Sequence, residues 1–263
     1  MLEEARSRQV SGSPDSDRAA REKDATYWLS PLGSGSDYTP FLQHLTLASI
    51  NVGFGGESNG GIYHSMYDTV NWYTKFSDGD FAYGRALSQV TGTLLLRLGD
   101  AAVLPFQFTD TANTFKRYIS ELENLARTRK DASLDLGPVR KAVDDLGHAA
   151  ADYEKAYERV DRAPSSSFDA RAELKGLNKL LLQSERKLGD DGGLPRRDWF
   201  KHQIYAPGFY TGYGVKTMPQ IREGLEENRL DESKEGVHKV AAAVAALAKQ
   251  VDEAATLLKK ATR

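Results

Sequence analysis

The sequence predicts a mainly α-helical protein, on three observations. After residue 105, four stretches repeat apolar side chains at every third or fourth position. Ahead of them only one stretch, residues 48–54, has the character of a strand. Two loops interrupt these patterns: a glycine-rich one before a lone histidine, and the long aromatic stretch 189–218 inside the helical part.

Taken in order, residues 1–30 read as a polar lead-in. Ser11-Gly12-Ser13-Pro14-Asp15-Ser16-Asp17 is turn-forming and well solvated, so disorder or a linker is expected there. Asp37 can cap a short helix running to Leu45. Ala48-Ser49-Ile50-Asn51-Val52-Gly53-Phe54 alternates and is β-branched, which predicts a strand. Gly53, Gly55, Gly56, Gly60 and Gly61 then make a flexible loop ahead of His64. Residues 78–102 carry Phe81, Leu87, Val90, Leu94, Leu95 and Leu98 at helical spacing. This order suits the edge of an α/β sheet, but one strand cannot make a sheet.

The helical part begins after Leu104-Pro105-Phe106. The first stripe is Phe115, Tyr118, Ile119, Leu122 and Leu125; the second is Val139, Val143, Leu146, Tyr153, Tyr157 and Val160. The third is Leu174, Leu177, Leu180, Leu181 and Leu188; the fourth is Val237, Val240, Val244, Leu247, Val251, Ala254 and Leu258. Each stripe has charge opposite it, as the helices of a bundle require. The expected organisation is a lead-in over 1–30, a mixed segment over 31–104 and a bundle over 105–263. A loop as long as 189–218 inside a compact bundle is uncommon and usually functional.

Composition removes several function classes. The 263 residues include 35 basic and 37 acidic side chains, a net charge of −2. That balance argues against a nucleic-acid binder, which carries a basic surplus on one face. There is no cysteine, so disulfides, thiolate-held metals and a cysteine nucleophile are excluded. No stretch reads as a signal peptide or a membrane span: Leu94-Leu95-Leu96 and residues 240–248 are too short. The compartment stays open. There is no P-loop, no dinucleotide fingerprint, no His-Glu-x-x-His and no Gly-x-Ser-x-Gly.

Three segments carry the chemistry. Gly60-Gly61-Ile62-Tyr63-His64-Ser65-Met66-Tyr67-Asp68-Thr69 places one histidine between aromatics after a glycine-rich loop. Upstream lies Leu32-Gly33-Ser34-Gly35-Ser36-Asp37-Tyr38-Thr39-Pro40-Phe41, and downstream Ile204-Tyr205-Ala206-Pro207-Gly208-Phe209-Tyr210-Thr211-Gly212-Tyr213. By themselves these read as a structural turn, a turn capped by Asp37 and a packed aromatic loop. His44, His148, His202 and His238 lack ligand spacing with one another, and packing or surface roles are expected for them.

Together and in this order, the three segments resemble the C-terminal third of the glutamate carboxypeptidase II and transferrin receptor family, M28-type zinc peptidases. The resemblance covers residues 31–258 and is most specific from Gly33 to Val103. It implies a fold made of a remnant of an α/β zinc-peptidase domain followed by a four-helix-bundle dimerisation domain. It makes His64 the last ligand of a two-zinc site, and Tyr63 the group that stabilises the tetrahedral oxyanion. Ser34, Gly35 and Ser36 would line the substrate cleft, and Tyr213 would match the tyrosine of a lysine–tyrosine pair that clamps a C-terminal glutamate. Gly212 stands where that lysine would be, and Ile50-Asn51-Val52-Gly53-Phe54 stands where the family's glutamate carboxypeptidases would have an arginine cluster. Both departures remove positive charge and put glutamate preference in doubt.

The resemblance also implies a homodimer through the bundle, where Ala241, Ala242, Ala243, Ala245, Ala246 and Ala248 permit close helix approach. The family's bridging aspartate and glutamate pair come from segments that would precede residue 1. Glu3-Glu4 and Glu226-Glu227, the Glu-Glu pairs present here, read as solvated faces. The chain alone is therefore expected to hold zinc poorly and to be catalytically silent, serving dimerisation and cleft completion for a two-zinc exopeptidase acting on peptides. The alternative is a non-catalytic, transferrin receptor-like interaction module. Family members are usually secreted or outward-facing, and neither nucleic acid nor a membrane segment enters the reading.

Overall fold

The computed structural model describes residues 30–54, 62–129, 134–161 and 168–261. Of the lead-in expected over 1–30, residues 1–29 lie outside the described residues, as do the glycines Gly55, Gly56, Gly60 and Gly61. The chain divides into two compact units: residues 51–100 cluster in one, and residues 31–50 with 101–263 in the other.

In the first unit, a series of turns over 62–68 leads into α1, Val70–Phe76. Thr69 caps α1 by accepting a hydrogen bond from Trp72 N at 3.2 Å. The longer α2, Ala82–Gly99, realises the helix expected over 78–102. Its start is held by Asp78, whose carboxylate accepts from Tyr83 N at 3.2 Å, Gly84 N at 2.9 Å and the Tyr73 hydroxyl at 3.2 Å. Burial alone would raise the Asp78 pKa, but the backbone N–H groups of Gly84 and Tyr83 outweigh it and hold the carboxyl below its ordinary value. Neither α1 nor α2 has a buried residue.

The strand expected over 48–54 does not form among the described residues. Ile50, Val52 and Phe54 are all exposed, and among the described residues no strand edge takes up their backbone groups. A strand gains its hydrogen bonds from a partner edge, so alternation without one leaves an extended segment.

The second unit is helical, as the sequence predicts. Its long helices are α3 (Phe108–Thr128), α4 (Gly137–Asp161), α5 (Phe168–Leu181) and, after a short α6 (Pro219–Glu226), α7 (Leu230–Ala261). On α4, Val139, Val143, Leu146, Ala150 and Tyr153 are fully buried. On α7, Val237, Val240, Val244, Leu247, Val251, Ala254 and Leu258 recur at alternating spacings of three and four and are buried too. That is the spacing of a coiled-coil seam, and among the described residues α4 against α7 is the most extensive helix pairing. From α3, Phe115, Ile119 and Leu122 complete the core. Polar side chains fasten the ends. Glu154 of α4 accepts from Thr109 N at 2.9 Å and from its hydroxyl at 2.7 Å, which caps α3 from outside. Gln250 of α7 donates to Leu180 O at 2.8 Å at the end of α5.

The stretch 189–218 is ordered, although the sequence suggests only a loop. A 3₁₀ turn, Glu185–Leu188, leads into it, and β1 (Tyr205–Pro207) pairs antiparallel with β2 (Val215–Thr217) in the register Tyr205–Thr217, Ala206–Lys216, Pro207–Val215. The hairpin is followed by α6, which starts on Pro219 and buries Ile221 and Leu225. Among the described residues this hairpin and two isolated bridges are all the β structure, and they lie in the helical unit. The α/β remnant implied for the region before residue 105 has no strand there among the described residues.

Candidate functional site

Residues 31–50 pack with the helical unit, and this brings the Gly33–Ser36 loop onto the tip of the β1–β2 hairpin. A Cβ on Gly33 would stand 2.3 Å from Tyr213 O and 3.1 Å from Val215 N. A Cβ on Gly35 would stand 2.6 Å from the Tyr213 ring, and Gly35 has φ +91°. Backbone therefore approaches backbone so closely at Gly33, and the chain turns so sharply at Gly35, that a larger residue fits neither position. Ser34 lies between them half-buried; Gly35 and Ser36 are exposed beside the exposed ring of Tyr213. Four residues singled out in the sequence, Ser34, Gly35, Ser36 and Tyr213, thus share one surface.

Side chains that the sequence does not single out build this surface. Gln43 is fully buried and donates through Nε2 to Leu32 O at 3.1 Å and Gly33 O at 2.9 Å. Its backbone carbonyl accepts from Lys201 N at 2.7 Å. One glutamine therefore ties the glycine loop to the segment that leads into β1. It lies in a single π turn, Pro40–His44, which begins behind Thr39; the cap expected from Asp37 is not what holds it, and Asp37 is exposed. Instead, Thr39 donates from its hydroxyl to Ser36 O at 2.7 Å.

The far side of the hairpin rests on a buried ion pair. Arg197 donates to Glu223 and to Pro207 O, while the Glu223 carboxylate also accepts from Phe209 N at 2.7 Å. Burial pushes the Glu223 carboxyl up and the Arg197 guanidinium down, so desolvation outweighs their attraction at both ends. Such a pair contributes position more than stability. Lys216 on β2 reaches both oxygens of Glu226 at 2.8 and 2.9 Å, and Arg196 reaches Glu232 at 2.5 Å while lying 5.3 Å from the centre of the Phe209 ring.

His202 precedes the hairpin and is fully buried. Its Nδ1 lies 3.1 Å from the N–H groups of both Ile204 and Tyr205, so it accepts, and Nε2 then donates to Glu185 at 2.8 Å. It is a structural histidine. His44 stacks on Trp199 at 5.0 Å, and its Nδ1 lies 2.8 Å from Trp199 O. Glu226 and Glu227 are occupied by Lys216 and by Arg229 at 2.6 Å.

Tyr63 and His64 belong to the other unit, on the turns before α1. Their rings stack at 3.8 Å, both are exposed, and His64 has φ +60°. Thr46, Phe81, Arg196, Met218 and Asn228 share this left-handed region, so the φ of His64 does not by itself mark a functional site. Among the described residues no group of three or more His, Cys, Asp or Glu stands close enough to hold a metal ion. One histidine falls short of the three or four ligands a zinc site takes, so the residues at hand do not make up a zinc site by themselves.

Comparison with known proteins adds to this geometry. Residues 134–261 match the transferrin receptor-like dimerisation domain. The chain is 34% identical to a probable glutamate carboxypeptidase of Arabidopsis thaliana, over 74% of this chain and 27% of the relative. It is 26% identical to the aminopeptidase NAALADL1 of Rattus norvegicus, over 78% of this chain and 28% of the relative. It is 24% identical to an inactive zinc metalloprotease of Schizosaccharomyces pombe, over 80% of this chain and 27% of the relative. The chain thus spans between a quarter and a third of the length of these relatives.

Proposed function

Because this chain belongs to the glutamate carboxypeptidase and transferrin receptor family, we propose that it is the dimerisation and cleft-completing part of an M28-type two-zinc exopeptidase. The observation that carries this reading is the fit of Gly33 and Gly35 against Tyr213. It makes the glycine loop and the helical unit's hairpin one preformed surface, the arrangement a cleft wall needs to hold a peptide end. Ser34, Gly35, Ser36 and Tyr213 shape that wall. His64 is the zinc ligand this chain supplies, and Tyr63 beside it is the hydrogen-bond donor for the developing oxyanion. Zinc in such a site activates water for attack on the peptide bond, but the remaining ligands are not provided by the described residues, and the chain alone is catalytically silent. The dimerisation domain pairs two copies of the chain.

The test is metal content and mass together. After dialysis against micromolar zinc, the purified chain is expected to hold substoichiometric zinc that His64→Ala does not change. It is expected to sediment as a dimer. Stoichiometric zinc lost on His64→Ala, with zinc-dependent hydrolysis of dipeptides, would refute the silent-part reading, and a monomer at all concentrations would refute the dimer. A second reading, a non-catalytic interaction module, is favoured by the relative named as an inactive metalloprotease. It predicts the same dimer. It also predicts that Ser34, Ser36 and Tyr213 can be replaced without loss of any peptide binding.

A further inference from the structure

We infer that the hairpin wall selects a peptide end whose terminal side chain is apolar or aromatic, and not an acidic one. The inference rests on the cleft reading above and names the substrate class that the cleft takes. Three rings project from the loop 208–214: Phe209, Tyr210 and Tyr213 are 37%, 77% and 60% exposed. Phe209 and Tyr210 meet edge to face at 4.8 Å, and Tyr213 covers Gly35. The wall that borders the glycine loop is therefore aromatic.

Its charge is already spent. The basic side chains described beside this loop are Arg196, Arg197 and Lys216. Each is engaged by a carboxylate: Arg197 by Glu223, Lys216 by Glu226 and Arg196 by Glu232. Three cations face three carboxylates, so no surplus positive charge is left beside the loop among the described residues. Gly212, at φ +61° with open space around it, adds none. An incoming carboxylate side chain would meet cations whose charge is already balanced by Glu223, Glu226 and Glu232, so it gains less attraction than at a free cation and still bears its own desolvation cost. An apolar or aromatic side chain instead covers exposed ring surface without disturbing any pair.

The experiment is a binding comparison on the whole chain, with N-acetyl-Ala-Phe and N-acetyl-Ala-Glu as probes, followed by titration calorimetry and by amide shifts of residues 33–36 and 208–214. The expected result is about tenfold tighter binding of the phenylalanine peptide, from partial burial of one aromatic side chain. Shifts should concentrate in those two loops. Tyr210→Ala and Tyr213→Ala should reduce the preference to within about twofold, while Tyr213→Phe, which keeps the ring on Gly35, should retain it. Equal binding, preference for the glutamate peptide, or no saturable binding by either would overturn the inference. Zinc content and dimer mass do not depend on the peptide side chain, so failure here leaves the proposed function to stand or fall on its own measurements.

Discussion

Gly33 is where the site tolerates least change. The atoms that a Cβ would meet, Tyr213 O and Val215 N, are backbone atoms of the hairpin, which cannot rotate away as a side-chain tip can. Gly33→Ala should therefore cost about 1–3 kcal/mol, the range for forcing atoms into a packed site. For a chain of this size that lowers Tm by roughly 2–4 °C per kcal/mol, readable by calorimetry. Gly53→Ala, with nothing within reach of its Cβ, is the control and should leave Tm nearly unchanged. The Arg197–Glu223 pair makes a different prediction. Both partners are shifted toward their neutral forms by burial, so the pair adds little net stability, yet removing one partner strands a buried charge. Arg197→Met alone should cost about 3–5 kcal/mol. Arg197→Met with Glu223→Gln removes both charges and keeps an acceptor for Phe209 N, so it should recover most of that loss. A double-mutant cycle by urea denaturation reads the difference, and additive losses would contradict the account.

At the scale of elements, α2 depends on Asp78. That carboxylate takes up two N–H groups at the start of the helix and is held below its ordinary pKa. A depressed carboxyl stabilises the fold at pH above its unfolded value, and the contribution is lost as pH falls through the lower folded value. Asp78→Ala should therefore weaken α2 at neutral pH and differ little from wild type in strong acid, as amide shifts of Tyr83 and Gly84 would report. How much of this was legible beforehand follows from what each element needs. The helices of the bundle were readable because their stripes are local: Val237 to Leu258 shows its period without reference to anything else. The expected strand at 48–54 failed because a strand is a relation between two segments, and alternation names no partner. The hairpin and α6 were hidden inside a stretch rich in glycine and proline, although Pro219 at a helix start with Ile221 and Leu225 four apart was a usable signal. Of the site, Ser34, Gly35, Ser36 and Tyr213 were visible as motif residues. Gln43, Arg197 and Glu223 were not, because their roles come from burial and from partners 10 to 26 positions away.

For the whole molecule, the two units differ in what holds them. The second carries one core cluster running from Val103 to Leu258. The first has two helices with no buried residue and large apolar side chains in the open, among them Met66 at 83% and Leu96 at 76% exposure. Local opening becomes cheap where few apolar contacts must be broken. Hydrogen exchange on this chain should therefore divide along the same line. Amides of α1 and α2 should exchange early and without cooperativity, their protection owed mainly to helix hydrogen bonds and to the caps at Thr69 and Asp78. Amides of α3, α4 and α7 facing the core should exchange last, together, and only through global unfolding. If the helical unit pairs as proposed, raising protein concentration should slow the second group, because association of the folded state stabilises it by mass action, and should leave the first group unchanged. Equal protection of α2 and α4 would mean that the exposed apolar side chains of the first unit are covered in solution, by a second copy or by their own unit. Concentration dependence confined to α1 and α2 would move the self-association surface out of the bundle altogether.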